Sequence, residues 1–194
     1  MTELCSALEE AGVTVRQTYR QSGNVVFDAP RARASELAAR IEAAVKPRLL
    51  RPTAAVVLSA RRLSQVLADA PPDWANGEVT FTHHLVFAVA PLTAREVLAG
   101  RQFDADIERI SSKGSVIYWS IRKDARPRSG MVRLARTPAY RHITIRTHAV
   151  VRQLDALSKR SVGRLATGAA RSPSTRRGLP RVGGRDSTAG GCPS

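Results

Sequence analysis

The polar side chains best suited to chemistry lie together in the decapeptide 18–27, which reads Thr-Tyr-Arg-Gln-Ser-Gly-Asn-Val-Val-Phe. Its Ser-Gly-Asn centre favours a tight turn between two short strands, so the pattern predicts a β-hairpin. The turn's backbone N–H groups and its polar side chains could hold a small ligand or a phosphate group. Alternatively, the polar side chains bond the turn's own backbone, and the glycine supplies a positive φ. The ligand-binding candidates here are Tyr19, Gln21, Ser22, Gly23 and Asn24.

The decapeptide resembles a signature of the bacterial family named domain of unknown function 1697, which carries close variants of Thr-Tyr-x-Gln-Ser-Gly-Asn-Val-Val-Phe. The segment 144–148 is similar to the family pattern Thr-x-Arg-Asn-Trp. Arg146 matches the arginine of that pattern, whereas Thr147 and His148 depart from it. The resemblance adds Arg146 to the ligand-binding candidates, although an arginine that ends a strand and pairs with a carboxylate fits the residue equally well. The family has no established activity, so the resemblance implies no reaction.

The sequence predicts no metal site and no cofactor. His83 and His84 are adjacent, so on a strand they face opposite sides. Cys5 and Cys192 lie near opposite ends without a Cys-x-x-Cys motif, which supports neither zinc nor a disulfide framework. Ser22 lacks the Gly-x-Ser-x-Gly setting of a nucleophile elbow. Whether the protein is an enzyme is therefore left open by the sequence.

The charge of the chain is strongly positive, with 31 basic and 16 acidic residues and a formal net charge of +15. Residues 158–194 hold eight of the basic residues and one acidic residue. A basic surface and tail could bind nucleic acid or another polyanion without specificity, whereas solubility and base composition explain the same charge without a partner. Tyr118 and Trp119 are adjacent on a predicted strand, so only one of them could stack on a base.

Composition and patterning also bear on location. The hydrophobic fraction of 43% is enough to build a core. No apolar run approaches the ~20 residues of a membrane span, and the N-terminus lacks the layout of a signal peptide. We therefore expect a cytoplasmic protein with no membrane partner.

Periodicity and turn residues predict an alternation of helices and strands. In the first part of the chain we expect helices at 2–11 and 34–45, a hairpin of 13–21 and 24–28, and a strand at 53–58. In the second part we expect helices at 60–68, 93–98, 129–137 and 147–157, and strands at 79–90, 107–110, 116–121 and 142–146, with residues 111–115 as a hairpin turn.

This order predicts an α+β fold of two tandem ferredoxin-like (βαββαβ) plaits. The first plait, at 1–59, lacks its opening strand. The linker helix and the second plait occupy 60–157, and a disordered basic tail occupies 158–194.

The resemblance implies that the opening strand is absent from this sequence. Family members carry a strand of the type Leu-Leu-Arg-Gly-Ile-Asn-Val-Gly-Gly before the helix that begins near Met1 here. That strand would lie inside the sheet, so its loss exposes backbone groups and apolar surface. A misplaced start codon, a decaying gene fragment and donation of the strand by another chain each explain the pattern.

The sequence thus indicates an uncharacterised cytoplasmic protein similar to that family, with no assignable activity and no known partner. Two alternatives stay open. One is a weak, sequence-independent nucleic-acid binder. The other is an enzyme or binder for a small phosphorylated ligand at the Gln21–Asn24 turn.

Overall fold

The computed structural model describes residues 2–20, 23–48, 54–72, 74–77 and 79–168. Its helices are α1 (Thr2–Glu10), α2 (Ala34–Val45), α3 (Ala60–Ala68), α4 (Ala94–Leu98), α5 (Gly130–Leu134) and α6 (His148–Gly168). Its strands are β1 (Thr14–Tyr19), β2 (Asn24–Asp28), β3 (Phe81–Ala88), β4 (Glu108–Lys113), β5 (Val116–Arg122) and β6 (Ile143–Thr147). Short 3-10 turns occupy Lys46–Arg48, Lys123–Arg128 and Pro138–His142. The predicted α+β class is confirmed.

The first part of the chain packs two helices on one face of a hairpin. β1 pairs antiparallel with β2, and α1 and α2 bury their apolar stripes against it. Gly12 ends α1 with a φ of 76°, and the Arg40 guanidinium of α2 donates to the Ala11 carbonyl at that end. The resulting core contains Ala7, Leu8, Ala11, Val13, Leu37, Ile41 and Val45.

The second part is built on a four-stranded antiparallel sheet with the order β4-β5-β3-β6. Both faces of this sheet are covered. On one face, residues of β3 and β5 pack with α4 and α5, around a core that includes Trp119 and Leu134. On the other face they pack with α3 and α6, around Val66 and Val151. The chain therefore folds this sheet as the middle layer of three.

Burial of the sheet's aromatic residues removes one nucleic-acid hypothesis. The side chains of Tyr118 and Trp119 point to opposite faces, as expected, but they are 1% and 0% exposed. Tyr118 donates its hydroxyl to the Val66 carbonyl at 2.7 Å, and Trp119 donates its indole N–H to Glu108 at 3.0 Å. Neither ring can stack on a base, because helices cover both faces of the sheet.

Residues 54–58 form neither a helix nor a strand, which corrects the predicted strand at 53–58; Thr53 lies outside the described residues. The backbone N–H of Ala55 donates to the Glu42 carboxylate at 2.7 Å. The apolar run is present, but a strand needs a neighbour, and the described part of the chain pairs none with it.

Two boundaries in the second part also differ from expectation. The β4–β5 hairpin turns at Gly114 and Ser115 alone, with Gly114 at a φ of 61°, because strand pairing extends through Lys113 instead of stopping at a five-residue loop. The last helix continues to Gly168, beyond the predicted end at residue 157. Residues 169–194 of the predicted tail lie outside the described residues.

The described part of the chain contains no helix that is long and apolar enough to cross a membrane.

Candidate functional site

Two of the sequence candidates meet in the structure although 122 positions separate them. The Arg146 Nε donates a hydrogen bond to the Asn24 Oδ1 at 2.6 Å. Asn24 stands at the start of β2 and is 6% exposed, while Arg146 lies on β6 and is half-buried. This bond joins the hairpin of the first part to the edge strand of the second.

The hairpin turn is held by the asparagine. Asn24 Nδ2 donates to the Tyr19 carbonyl at 3.1 Å, so its amide bridges the two strand ends. Gly23 has a φ of 69°, and apart from the glycine and its two chain neighbours no described residue has a heavy atom within 4 Å of where its Cβ would be. The turn conformation therefore explains the glycine, and its outer side is open to a ligand. Gln21 and Ser22 lie outside the described residues.

Tyr19 takes a different position from the other candidates. Its ring lies 5.5 Å from the guanidinium carbon of Arg20, a residue with a φ of 56°. Among the described residues, Tyr19 does not line the cavity that contains Asn24 and Arg146. It contacts the turn through its backbone carbonyl, which the asparagine amide binds.

Arg146 is a cation held in largely apolar surroundings. It pairs with Leu85 across the β3–β6 ladder, and its Nη1 donates to the Ile145 carbonyl at 2.9 Å. Burial lowers the pKa of the Arg146 guanidinium, since its charge loses hydration there. Arginine nevertheless stays charged in proteins.

A cavity of about 530 Å³ opens beside this pair. Its lining includes the charged and polar residues Glu3, Asn24, Arg48, Thr144 and Arg146, and the turn residue Gly23. The rest of the wall is aliphatic or aromatic, with contributions from α1, α2, β2, residues 54–58, Phe87 and α6. An apolar cavity of this size with a few convergent polar groups has the character of a small-ligand site.

Sequence reasoning missed most of the cavity wall. Thr144 and Phe87 are paired residues of β6 and β3, and Val151 and Leu154 belong to α6. Their apolar periodicity signalled a core, but not that this core borders the hairpin. The contact between this core and the hairpin depends on how the two halves pack, and a local sequence pattern does not show that packing.

The histidines form no metal site among the described residues. His84 is 6% exposed, and neither of its ring nitrogens has a hydrogen-bond partner there. Burial, assisted by the charges of Arg126 and His83, lowers the pKa of His84 to about 4. His83 projects to the other face, where its Nδ1 lies 2.8 Å from the Ser120 Oγ. The described residues contain no group of three or more His, Cys, Asp or Glu side chains that could hold a metal.

Comparison with known proteins identifies a family and a fold. Residues 1–118 match the family described as "Protein of unknown function (DUF1697)", which confirms the resemblance carried by the decapeptide. A solved structure, that of the conserved bacterial protein SP0830 from Streptococcus pneumoniae, superposes with a TM-score of 0.66 at 21% sequence identity. The similarity covers 82% of this chain and 88% of that chain. None of the curated proteins matches the chain significantly.

Proposed function

The chain belongs to the DUF1697 family of proteins of unknown function, and we propose that it binds a small ligand with one phosphate group on an apolar body. The site is the part of the cavity wall where Arg146 and Asn24 meet. The observation that carries this proposal is their 2.6 Å hydrogen bond, which places a half-buried cation beside the hairpin turn. Gln21 and Ser22, which precede Gly23 in the sequence, are further candidates in this proposal.

The electrostatics of the cavity favour an anion. A guanidinium loses hydration when it is buried, and a phosphate or similar group restores the lost stabilisation through charge-assisted hydrogen bonds. Arginine presents its donors as a planar fork, which matches two oxygens of a phosphate. The open side of Gly23 leaves room for such a group at the turn.

The apolar wall defines the rest of the ligand. Side chains such as Leu8, Val57 and Leu154 offer no hydrogen bond, so a polyhydroxylated body would lose hydration without compensation. We therefore expect phosphate monoesters of aromatic or aliphatic groups to bind more tightly than sugar phosphates.

A thermal-shift screen of the full chain tests this proposal, with phenyl phosphate, inorganic phosphate, phenol, nucleoside monophosphates and sugar phosphates as probes. Phenyl phosphate should raise the melting temperature more than inorganic phosphate or phenol, because only it engages both the Arg146 guanidinium and the apolar wall. Arg146→Lys should weaken its binding by about tenfold, since a point charge replaces the fork. Asn24→Ala should also weaken it.

Arg141→Lys is the matched control, because Arg141 is exposed and lies outside the cavity lining. Wild-type affinity in Arg146→Lys for every probe that binds would contradict the proposal. A screen in which no probe shifts the melting temperature would also contradict the proposal.

The fold supports a more specific description, which we also propose. The chain would consist of two tandem ferredoxin-like plaits, 1–59 and 60–157, the first without its opening strand, and α6 extends the second unit. The support is the β4-β5-β3-β6 order, which is that of a βαββαβ plait, with α4 and α5 as its two helices. A cytoplasmic location is likewise a proposal, supported by the free thiol of Cys5.

A further inference from the structure

We propose that residues 126–140 form a surface for single-stranded nucleic acid, with arginines on the phosphates and Tyr140 stacked on a base. The segment runs from the end of the 3-10 turn Lys123–Arg128 through α5 into the turn Pro138–His142. It contains no aspartate or glutamate, and its four arginines are Arg126, Arg128, Arg133 and Arg136. These arginines and Tyr140 are called the arginine surface. The inference goes beyond the proposed function, because it concerns other residues and another class of ligand.

The segment separates its apolar side chains from its basic ones. Met131, Leu134 and Ala139 pack on the core that α4 and α5 share with the sheet. The four arginines are exposed. The cavity of the proposed function is instead lined by Phe87 and Val151, which belong to the core on the other face of the sheet. The arginine surface and that cavity therefore lie on opposite faces.

The charge of the arginine surface is not neutralised within the protein. None of its four arginines forms an ion pair with a carboxylate of the described residues, whereas the neighbouring Arg122 pairs with Asp124 at 2.8 Å. Cations grouped in this way repel one another and attract a polyanion. A phosphodiester backbone supplies one negative charge per nucleotide and relieves the repulsion.

Two arginines are held in place at a cleft of about 650 Å³ beside the segment. Arg133 donates from Nη1 to the Arg128 carbonyl at 2.6 Å and from Nη2 to the Gln102 carbonyl at 3.0 Å. Across the cleft, Arg101 donates from Nε to the Val97 carbonyl at 2.6 Å. These carbonyls orient the guanidinium groups without neutralising them. A phosphate therefore meets donors that are already positioned for charge-assisted hydrogen bonds.

The cleft also contains the carboxylate of Asp104. Its Oδ1 accepts from the Asp106 N–H at 3.0 Å, so the carboxylate is engaged within its own loop. It forms no ion pair with Arg101 or Arg133. The cleft and the segment thus keep a clear excess of positive charge.

Tyr140 indicates a nucleic acid with unpaired bases. Its ring is 46% exposed, and the other exposed large apolar side chain of the described residues is that of Val79. An aromatic ring beside arginines is the arrangement on which bases of a single strand stack while its phosphates bind the cations. A duplex buries the faces of its bases, and an acidic peptide has no base to stack. The ring therefore favours a single strand over both.

Fluorescence anisotropy on the full chain tests the proposal. The probes are dye-labelled oligouridylate and oligothymidylate of about twelve nucleotides, within the range of single-strand site sizes. At least one should bind, and the tighter of the two identifies RNA or DNA as the source of the strand. Affinity should fall as salt rises, because phosphate contacts release counterions. Failure of both probes to bind at low salt would overturn the proposal.

Two double variants separate the arginine surface from net charge. Arg128→Gln with Arg136→Gln should weaken binding about tenfold and make the slope of log affinity against log salt less steep by about 1.4, since each single-strand phosphate contact contributes about 0.7. Arg61→Gln with Arg152→Gln removes the same charge from exposed positions on α3 and α6 and should keep the wild-type slope. Equal effects of the two double variants, at unchanged melting temperatures, would overturn the proposal.

Substitution of Tyr140 tests the stacking contact. Tyr140→Ala should weaken binding at least about fivefold, equivalent to ~1 kcal/mol of stacking, and leave the salt slope unchanged because the ring carries no charge. Tyr140→Phe keeps the ring and should bind as the wild type does. Wild-type affinity in Tyr140→Ala would overturn the stacking contact and with it the preference for a single strand.

Competition and one further variant distinguish the other ligands. Unlabelled oligouridylate should displace the probe better than a DNA duplex or a polyglutamate peptide at equal charge concentration. A duplex or peptide that competes equally well would overturn the assignment to single strands. Arg146→Lys should bind the oligonucleotide with wild-type affinity, because its cavity lies on the other face. Loss of oligonucleotide binding in Arg146→Lys, with an unchanged melting temperature, would place the strand in that cavity and overturn the proposal.

Discussion

At the scale of single residues, His84 couples the stability of the second part to pH. Its ring is buried beside Trp119 on the β3–β5 ladder, and its pKa is lowered to about 4 from a usual value of 6.5. The unfolded chain therefore binds a proton between these values that the folded chain does not. The contribution of neutral His84 is complete above pH 6.5 and is lost as the pH falls to 4.

We accordingly expect the free energy of unfolding to fall by up to about 3 kcal/mol between pH 7 and pH 4. Urea denaturation at half-unit pH steps measures this free energy of unfolding. His84→Leu should flatten most of this dependence, while His142→Gln should keep it. Burial also lowers the pKa of His148, so a smaller slope of the same sign should persist in His84→Leu. An identical slope in wild type and His84→Leu would contradict the prediction.

At the scale of elements, Asp155 joins two helices that the sequence did not connect. It lies on α6 and accepts from the Ser64 Oγ of α3 at 2.5 Å and from the Lys159 Nζ at 2.6 Å. Burial alone raises the pKa of Asp155, but these two hydrogen bonds outweigh it and the pKa is lowered. Its contribution to stability is therefore present at neutral pH and is lost as the pH falls through that lowered pKa.

Asp155→Ala should lower the free energy of unfolding at pH 7 by about 1–3 kcal/mol, since it removes a partly buried acceptor of two bonds. Lys159→Ala should cost less than about 1 kcal/mol, because that ammonium is largely exposed. Denaturant titration measures both, and Asp106→Ala, an exposed carboxylate, is the control. Equal losses in Asp155→Ala and Asp106→Ala would show that the link between α3 and α6 contributes nothing.

The elements also show what a sequence can and cannot predict. The helix Ala34–Val45 was predicted with its observed bounds, since proline and apolar spacing mark it locally. Residues 54–58 have a strand's composition but no ladder, because pairing depends on a neighbour and not on the segment itself. The continuation of α6 past residue 157 was missed, because the long-range partners of Asp155 and its neighbours do not appear in local composition.

At the scale of the whole molecule, the candidate site exists only through the packing of the two halves. Asn24 and Arg146 were each nominated from the sequence by separate patterns, and neither pattern indicated that they touch. The sequence could name the side chains because turn chemistry and family resemblance are local. It could not predict the cavity, whose wall combines α1, β2, residues 54–58 and α6.

The same division of the molecule predicts uneven local stability. β3 and β5 are central strands with helices on both faces, and their amides can exchange only when a large part of the second core opens. The β1–β2 hairpin is a two-stranded sheet, which is marginal without further strands or packing. Opening of the hairpin requires the loss of fewer contacts. Its free energy of opening should therefore lie well below the free energy of global unfolding.

Native-state hydrogen exchange measured by NMR checks this expectation. Amides of Leu85, Val86 and Tyr118 should exchange slowest, near the global free energy of unfolding. Those of Thr18, Val25 and Val26 should exchange at least about tenfold faster, equivalent to a difference of ~1.4 kcal/mol. Hairpin amides that already match β3 in the free protein would show that the first half is not the less stable unit.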